Sequence, residues 1–98
     1  MRIFSRKTLR EFWEAGHTDA KSPLDVWYHE TKKANWNTPQ EVKNKYPSAS
    51  IISNDRIVFN IKGNDYRLVC AIDYKRKGVF IRFIGIHAEY DKIDAKEI

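Results

Sequence analysis

What is scarce in this chain narrows its chemistry first. A single cysteine, Cys70, cannot close an internal disulfide, so stability must come from a packed core, and the usage fits a reducing compartment. Four glycines and three prolines in 98 residues leave no flexible linker or proline-rich tract, and no repeat is present. No apolar run approaches the roughly 20 residues of a membrane span. The opening MRIFSRKTLREFWE lacks the apolar stretch of a secretory signal and acquires Glu11 early, so a cytoplasmic protein with no membrane partner is expected. His17, His29 and His87 are far apart and lack partners at ligand spacing, so neither a metal site nor a cofactor is expected. No phosphate-binding loop occurs, since Gly63-Asn64-Asp65 reads as a turn, and there is no Gly-x-Ser-x-Gly elbow.

What is present suffices for one domain, residues 1–98, with 42% hydrophobic side chains and a net charge of +5. Arg2–Phe4 reads as a short strand, and Ser5 as the cap of a helix from about Arg6 to His17. Leu9, Phe12, Trp13 and Gly16 form its single apolar stripe. Ser22-Pro23 suggests the start of a second helix whose Ala20, Leu24, Trp27, Thr31 and Ala34 share a side, giving an antiparallel helix pair. Thr38-Pro39-Gln40-Glu41 is a capping box for a short third helix to about Lys45. A brief strand around Ile51 and Ile52 precedes three strong ones between Arg56 and Ile86. This order defines an α+β fold, with the helices segregated from a mainly antiparallel sheet.

Two-residue turns at Gly63-Asn64 and Arg76-Lys77 would set 62 opposite 65, 60 opposite 67, 75 opposite 78 and 71 opposite 82. One face then carries Ile57, Phe59, Ile61, Tyr66, Leu68, Cys70, Ile72, Tyr74, Val79, Ile81 and Phe83, which is a core. The other carries Arg56, Val58, Asn60, Lys62, Arg67, Val69, Ala71, Asp73, Phe80, Arg82, Ile84 and Ile86. Cations among apolar groups make it a candidate binding surface. Charge placement agrees: residues 62–82 hold six cations against Asp65 and Asp73, whereas residues 88–98 are net acidic. Cys70 falls on the core face and reads as a small buried hydrophobe. Trp13 and Trp27 read as core, and Trp36, in a polar link, as the most exposed tryptophan.

Arg67 and Arg82 stand on neighbouring strands in this register, roughly 13 Å apart along the strand direction. Taken singly, each reads as a solvated strand residue. Together with Asn60 opposite Arg67, Lys62 beside it, and His87 and Tyr90 at the strand's exit, they suggest a site for phosphate. The Lys75, Arg76, Lys77 turn would add general attraction for a polyanion. Arginine stabilises a crowded anionic phosphorane, and histidine and tyrosine exchange protons. Those are the parts needed to cleave RNA through its own 2′-OH. If Ala88 begins a helical turn, His87 and Tyr90 share a side. Asp91 would orient His87 or cap the tail.

The stretches FNIKGNDYRLVCAIDY and VFIRFIGIHAEYDKI closely resemble the HigB toxins of bacterial type II toxin–antitoxin systems, a branch of the RelE-like toxins. The likeness lies in Phe59-Asn60-Ile61, Gly63-Asn64, Tyr66-Arg67-Leu68, Ile81-Arg82-Phe83 and His87 to Asp91. It continues more loosely through Ala34–Trp36, the proline-led helix and Tyr46-Pro47. The resemblance implies a RelE-like fold, a small twisted sheet with two N-terminal helices on one face. It implies a metal-independent mRNA interferase acting in the ribosomal 30S A site and leaving 2′,3′-cyclic phosphate and 5′-OH ends. It further implies neutralisation by a HigA-type helix-turn-helix antitoxin, through which alone operator DNA would be contacted. By motif, Arg67 and Arg82 would hold the scissile phosphate, with His87 and Tyr90 transferring protons in roles left open, and Lys62 supporting. Two other readings remain at this point: a gyrase-poisoning toxin like the ParE group, and an RNA-binding module without chemistry.

Overall fold

In the computed structural model, which describes residues 1–98, five strands form one sheet in the order β1-β5-β4-β3-β2. The strands are β1 Arg2–Phe4, β2 Ser50–Ser53, β3 Arg56–Ile61, β4 Tyr66–Asp73 and β5 Gly78–Ile86. Neighbours pair antiparallel except β1, which runs parallel to β5. The helices are α1 Arg6–Glu14, α2 Lys21–Lys33, α3 Pro39–Lys45 and the single turn α4 His87–Tyr90. The expected α+β architecture and the brief strand before β3 are both present.

Helix boundaries differ from the sequence reading where backbone geometry intervenes. Ser5 takes a left-handed conformation and makes no side-chain cap, and α1 stops at Glu14 rather than reaching His17. Gly16 takes φ 114°, a conformation that ends a helix readily only in glycine. His17 turns back to stack on Phe12, with ring centroids 4.2 Å apart. A 3₁₀ turn over Thr18–Ala20 feeds α2, so Pro23 lies in the first helical turn, where its missing N–H is not needed. The start of α3 is as expected: Thr38 Oγ1 accepts from Glu41 N at 3.3 Å, while Glu41 Oε1 accepts from Asn37 N at 3.2 Å.

The first hairpin has the expected register, Asn60 opposite Arg67 and Ile61 opposite Tyr66. The second does not. Asp73 faces Gly78 and Ala71 faces Phe80, across a four-residue turn at 74–77. Local bonds favour this longer turn: the Asp73 carboxylate accepts from Arg76 N at 3.0 Å, and Lys77, at φ 59°, sends Nζ to the Trp36 carbonyl at 3.0 Å. A bulge then leaves Arg82 as an extra residue between Ile81, opposite Cys70, and Phe83, opposite Val69. One extra residue inverts the alternation beyond it. Ile84 therefore joins the core expected to hold Phe83, and Phe83 lies on the opposite face.

The main core lies between the sheet and α1 to α3 and contains the ten other residues assigned to that face, Tyr74 at its margin. At its centre Phe59 meets Trp27, Trp36 and Tyr46, with centroids 5.4, 6.4 and 5.3 Å away. Trp36 is 5% exposed, not the most exposed tryptophan, because the link after α2 folds inward over Phe59. The opposite face is closed in its middle. Residues 90–98 return across it, packing Tyr90, Ile93, Ala95 and Ile98 on Val58, Val69 and Phe83, and Arg56 donates to the Ile98 carbonyl at 3.2 and 2.9 Å. What alternation alone presented as one mixed surface is a small second core with polar ground at each end. No helix is long and apolar enough to cross a membrane.

Candidate functional site

Arg67 lies near the start of β4, between Asn60 of β3 and Gly85 of β5. Its guanidinium donates from one nitrogen to the Asn64 carbonyl at 3.1 Å and from another to His87 Nε2. Guanidinium carries only donors, so a hydrogen bond between them requires Nε2 to accept. His87 is delivered by α4, which begins where β5 ends. That turn is held by Glu89, whose Oε1 accepts from Ile86 N at 3.0 Å.

Gly85 makes the approach possible. A Cβ there would stand 2.5 Å from Phe83 Cζ and 2.9 Å from Glu89 Oε1, so any larger residue would force these side chains to shift. Sequence reasoning overlooked Gly85, although a lone glycine within a β-branched strand is the usual sign of close approach. Asn60 is held by its side-chain donor to the Ser48 carbonyl at 2.9 Å. Tyr90 faces inward, with its ring centroid 6.5 Å from Phe83. It thus shares a helical turn with His87 but packs on the second core. Asp91 donates its backbone N–H to the His87 carbonyl at 2.9 Å, continuing the turn.

Arg82 occupies the bulge, exposed, with its guanidinium 5.8 Å from the Phe80 ring centroid. Three positions separate it from Gly85, so Arg67 and Arg82 stand roughly 10 Å apart along the strand rather than 13 Å. Neither pairs with a carboxylate, unlike Arg6, Arg56 and Arg76.

The supporting cations are not gathered around Arg67. Lys62 takes φ 53°, which removes it from strand alternation. It points toward the helices, with Nζ 2.6 Å from Asp19 and 3.5 Å from Asp65. Asp19, absent from the sequence reading, also accepts from the Tyr66 hydroxyl. The Lys62 and Tyr66 hydrogen bonds hold its carboxyl below the usual carboxylate range, and the same hydrogen bonds to Asp19 push the Lys62 ammonium and Tyr66 phenol up. Lys75, Arg76 and Lys77 lie beyond Asp73, at the opposite end of β4 from Arg67. Arg76 pairs with Asp73 at 3.5 Å, and Lys77 is tied to Trp36 and Asn37. No group of three or more His, Cys, Asp and Glu side chains is placed to hold a metal ion.

The sheet, the two N-terminal helices on one face and a cationic end beside a C-terminal turn define a RelE-like toxin fold. A model of the HigB toxin, described as a RelE-like toxic component of a toxin–antitoxin system, matches residues 20–93. The chain is 30% identical over 95 residues to the mRNA interferase HigB of Escherichia coli O6:H1, covering 95% of this chain and 91% of that protein. It is 26% identical over 93 residues to the mRNA interferase toxin HigB of Escherichia coli K12 and to the mRNA interferase HigB of Shigella flexneri, covering 93% of this chain and 88% of each. The chain belongs to the HigB toxin family.

Proposed function

We propose that this toxin is an mRNA interferase, an endoribonuclease that cuts mRNA in the 30S A site of the translating ribosome. The observation that carries the reading is the contact of Arg67 with His87 Nε2, a phosphate-binding cation against a proton acceptor at the open end of the sheet. A phosphodiester is a bidentate acceptor for guanidinium and competes with imidazole for Arg67. As the scissile phosphate engages Arg67, Nε2 is released to take the 2′-OH proton. The resulting oxygen attacks the adjacent phosphorus, the bond to the 5′-oxygen breaks, and the products carry a 2′,3′-cyclic phosphate and a 5′-OH. Arg82, unpaired in the bulge, offers a second cation for the phosphorane charge. Tyr90 is the candidate for protonating the leaving oxygen, and it would have to turn from Phe83 to do so. Alignment of the 2′-OH by the ribosome would supply much of the acceleration.

Asn60 lines the strand's approach, while Lys62 and the Lys75 to Lys77 turn contribute at longer range as anchors for phosphate. A HigA-type helix-turn-helix protein would be the antitoxin and would alone contact operator DNA. Primer extension on translated mRNA, with and without ribosomes, tests the reading: cuts within codons, only with ribosomes and with 5′-OH ends, are expected. Ends carrying 5′-phosphate would refute the mechanism. Undiminished growth arrest by a folded Arg67→Ala, Arg82→Ala double variant would refute the site.

A further inference from the structure

Beyond the Arg67 end, the sheet's second face carries a stack that neither the mechanism nor the fold requires in full. Phe4 of β1 and Phe80 of β5 are register partners whose rings lie parallel, 4.7 Å apart at 9°. Arg2 lies 5.4 Å from the Phe4 centroid and Arg82 5.8 Å from that of Phe80, so both rings are flanked by guanidinium. Gly78 leaves room beside them: a Cβ there would stand 3.1 Å from Phe80 and 3.6 Å from Phe4. Phe4 remains 36% exposed, and neither arginine has a carboxylate partner. The C-terminal tail, packed on Val58 and Val69, leaves this side of the face uncovered.

We infer that the Phe4 and Phe80 rings form a stacking platform for an unpaired base of the RNA strand held at Arg67, with Arg2 receiving a phosphate that flanks it. Aromatic faces interleaved with unpaired cations are the chemistry of single-stranded nucleic acid. An acidic peptide would use the cations but leave the exposed ring idle. Arg82 joins the platform to the site, since it covers Phe80 and lies on the strand that leads to Gly85 and Arg67. From Phe80 to Gly85, allowing for the bulge, is roughly 13 Å along the strand, a span on the scale of a few nucleotides. The inference rests on the ribonuclease reading.

The test compares Phe4→Leu and Phe4→Tyr with the parent chain in single-turnover cleavage of mRNA on programmed ribosomes. Leucine preserves apolar volume but has no π face. Phe4→Leu should raise the half-saturating toxin concentration about fivefold, the low end for loss of one base stack, with the loss falling there rather than in the saturating rate. Phe4→Tyr should restore parental behaviour. Unchanged half-saturation in a folded Phe4→Leu, or equal loss in both variants, overturns the platform while leaving the ribonuclease reading intact. Absence of cleavage by the parent chain overturns the reading on which it rests.

Discussion

Replacing Gly85 by alanine probes the link between the bulged strand and the proposed chemistry. A methyl 2.5 Å from Phe83 Cζ and 2.9 Å from Glu89 Oε1 cannot be accommodated as both stand. Non-bonded carbons settle near 3.5–4 Å, so the Phe83 ring must retreat by about 1 Å. Its retreat is resisted by Val58, Val69 and Tyr90. Overpacking of this kind costs about 1–3 kcal/mol. Loss of glycine's unfolded-state freedom returns about 0.4–1 kcal/mol. A net loss of about 1 kcal/mol lowers Tm by about 4–8 °C in a domain of this size. The functional loss should be larger than the stability loss implies. Displacing Glu89 removes the acceptor of Ile86 N, loosens α4 and draws His87 from Arg67. Misplacement on this scale reduces cleavage on the order of 10- to 100-fold. Ile57→Val, in the main core and away from this end, provides a control of similar thermal cost but full activity. The reasoning fails if Gly85→Ala keeps its parental Tm, or if Ile57→Val loses as much cleavage as Gly85→Ala at equal stability.

Asp19, held low by Lys62 and Tyr66, stabilises the fold above the ordinary carboxylate value, and its contribution is lost as pH falls through its depressed one. Lys62 and Tyr66, pushed up, contribute below their ordinary values and lose that contribution only as pH rises through the raised ones. The Tm gap between parent and Asp19→Asn should therefore be widest near neutrality and close in strong acid. A gap constant down to pH ~2, well below a normal aspartate, would refute the charge's role. Cys70 is fully buried and desolvation pushes its thiol up, so a disulfide reagent at pH ~8, near the normal thiol value, should label it only after unfolding. Rapid native labelling would contradict its placement. Phe59→Ala, emptying the space among Trp27, Trp36 and Tyr46, should cost about 3–5 kcal/mol in urea unfolding and flatten the near-ultraviolet aromatic dichroism.

Most of the architecture was legible because local rules and burial agree. The stripe through Leu24, Trp27 and Thr31 and the Thr38-Pro39 start each specify a helix without reference to distant residues. The Gly63-Asn64 turn was readable for the same reason, since a tight turn with left-handed φ fixes the register of the strands it joins. The second hairpin lacks such a signal. Its turn length depends on Lys77 reaching the chain at Trp36 and Asn37, 41 and 40 residues away, which no local pattern encodes. The inward fold of Trp36 belongs to the same long-range packing.

The candidate site is where these two kinds of information meet. Arg67 was placed by the readable hairpin, but Arg82, Phe83 and Ile84 were placed by a bulge that strict alternation cannot anticipate. The bulge does more than break a pattern. Without the extra residue, Phe83 would enter the main core and Ile84 would face outward, leaving Tyr90 and the tail no aromatic surface to rest on. The turn carrying His87 would lose its support beside Arg67. One unpaired residue thus releases Arg82 from its ladder position and moves Phe83 to the face where it props the C-terminal turn. The departure from regular pairing sits where the proposed chemistry needs a cation out of register and a histidine held at the sheet's end.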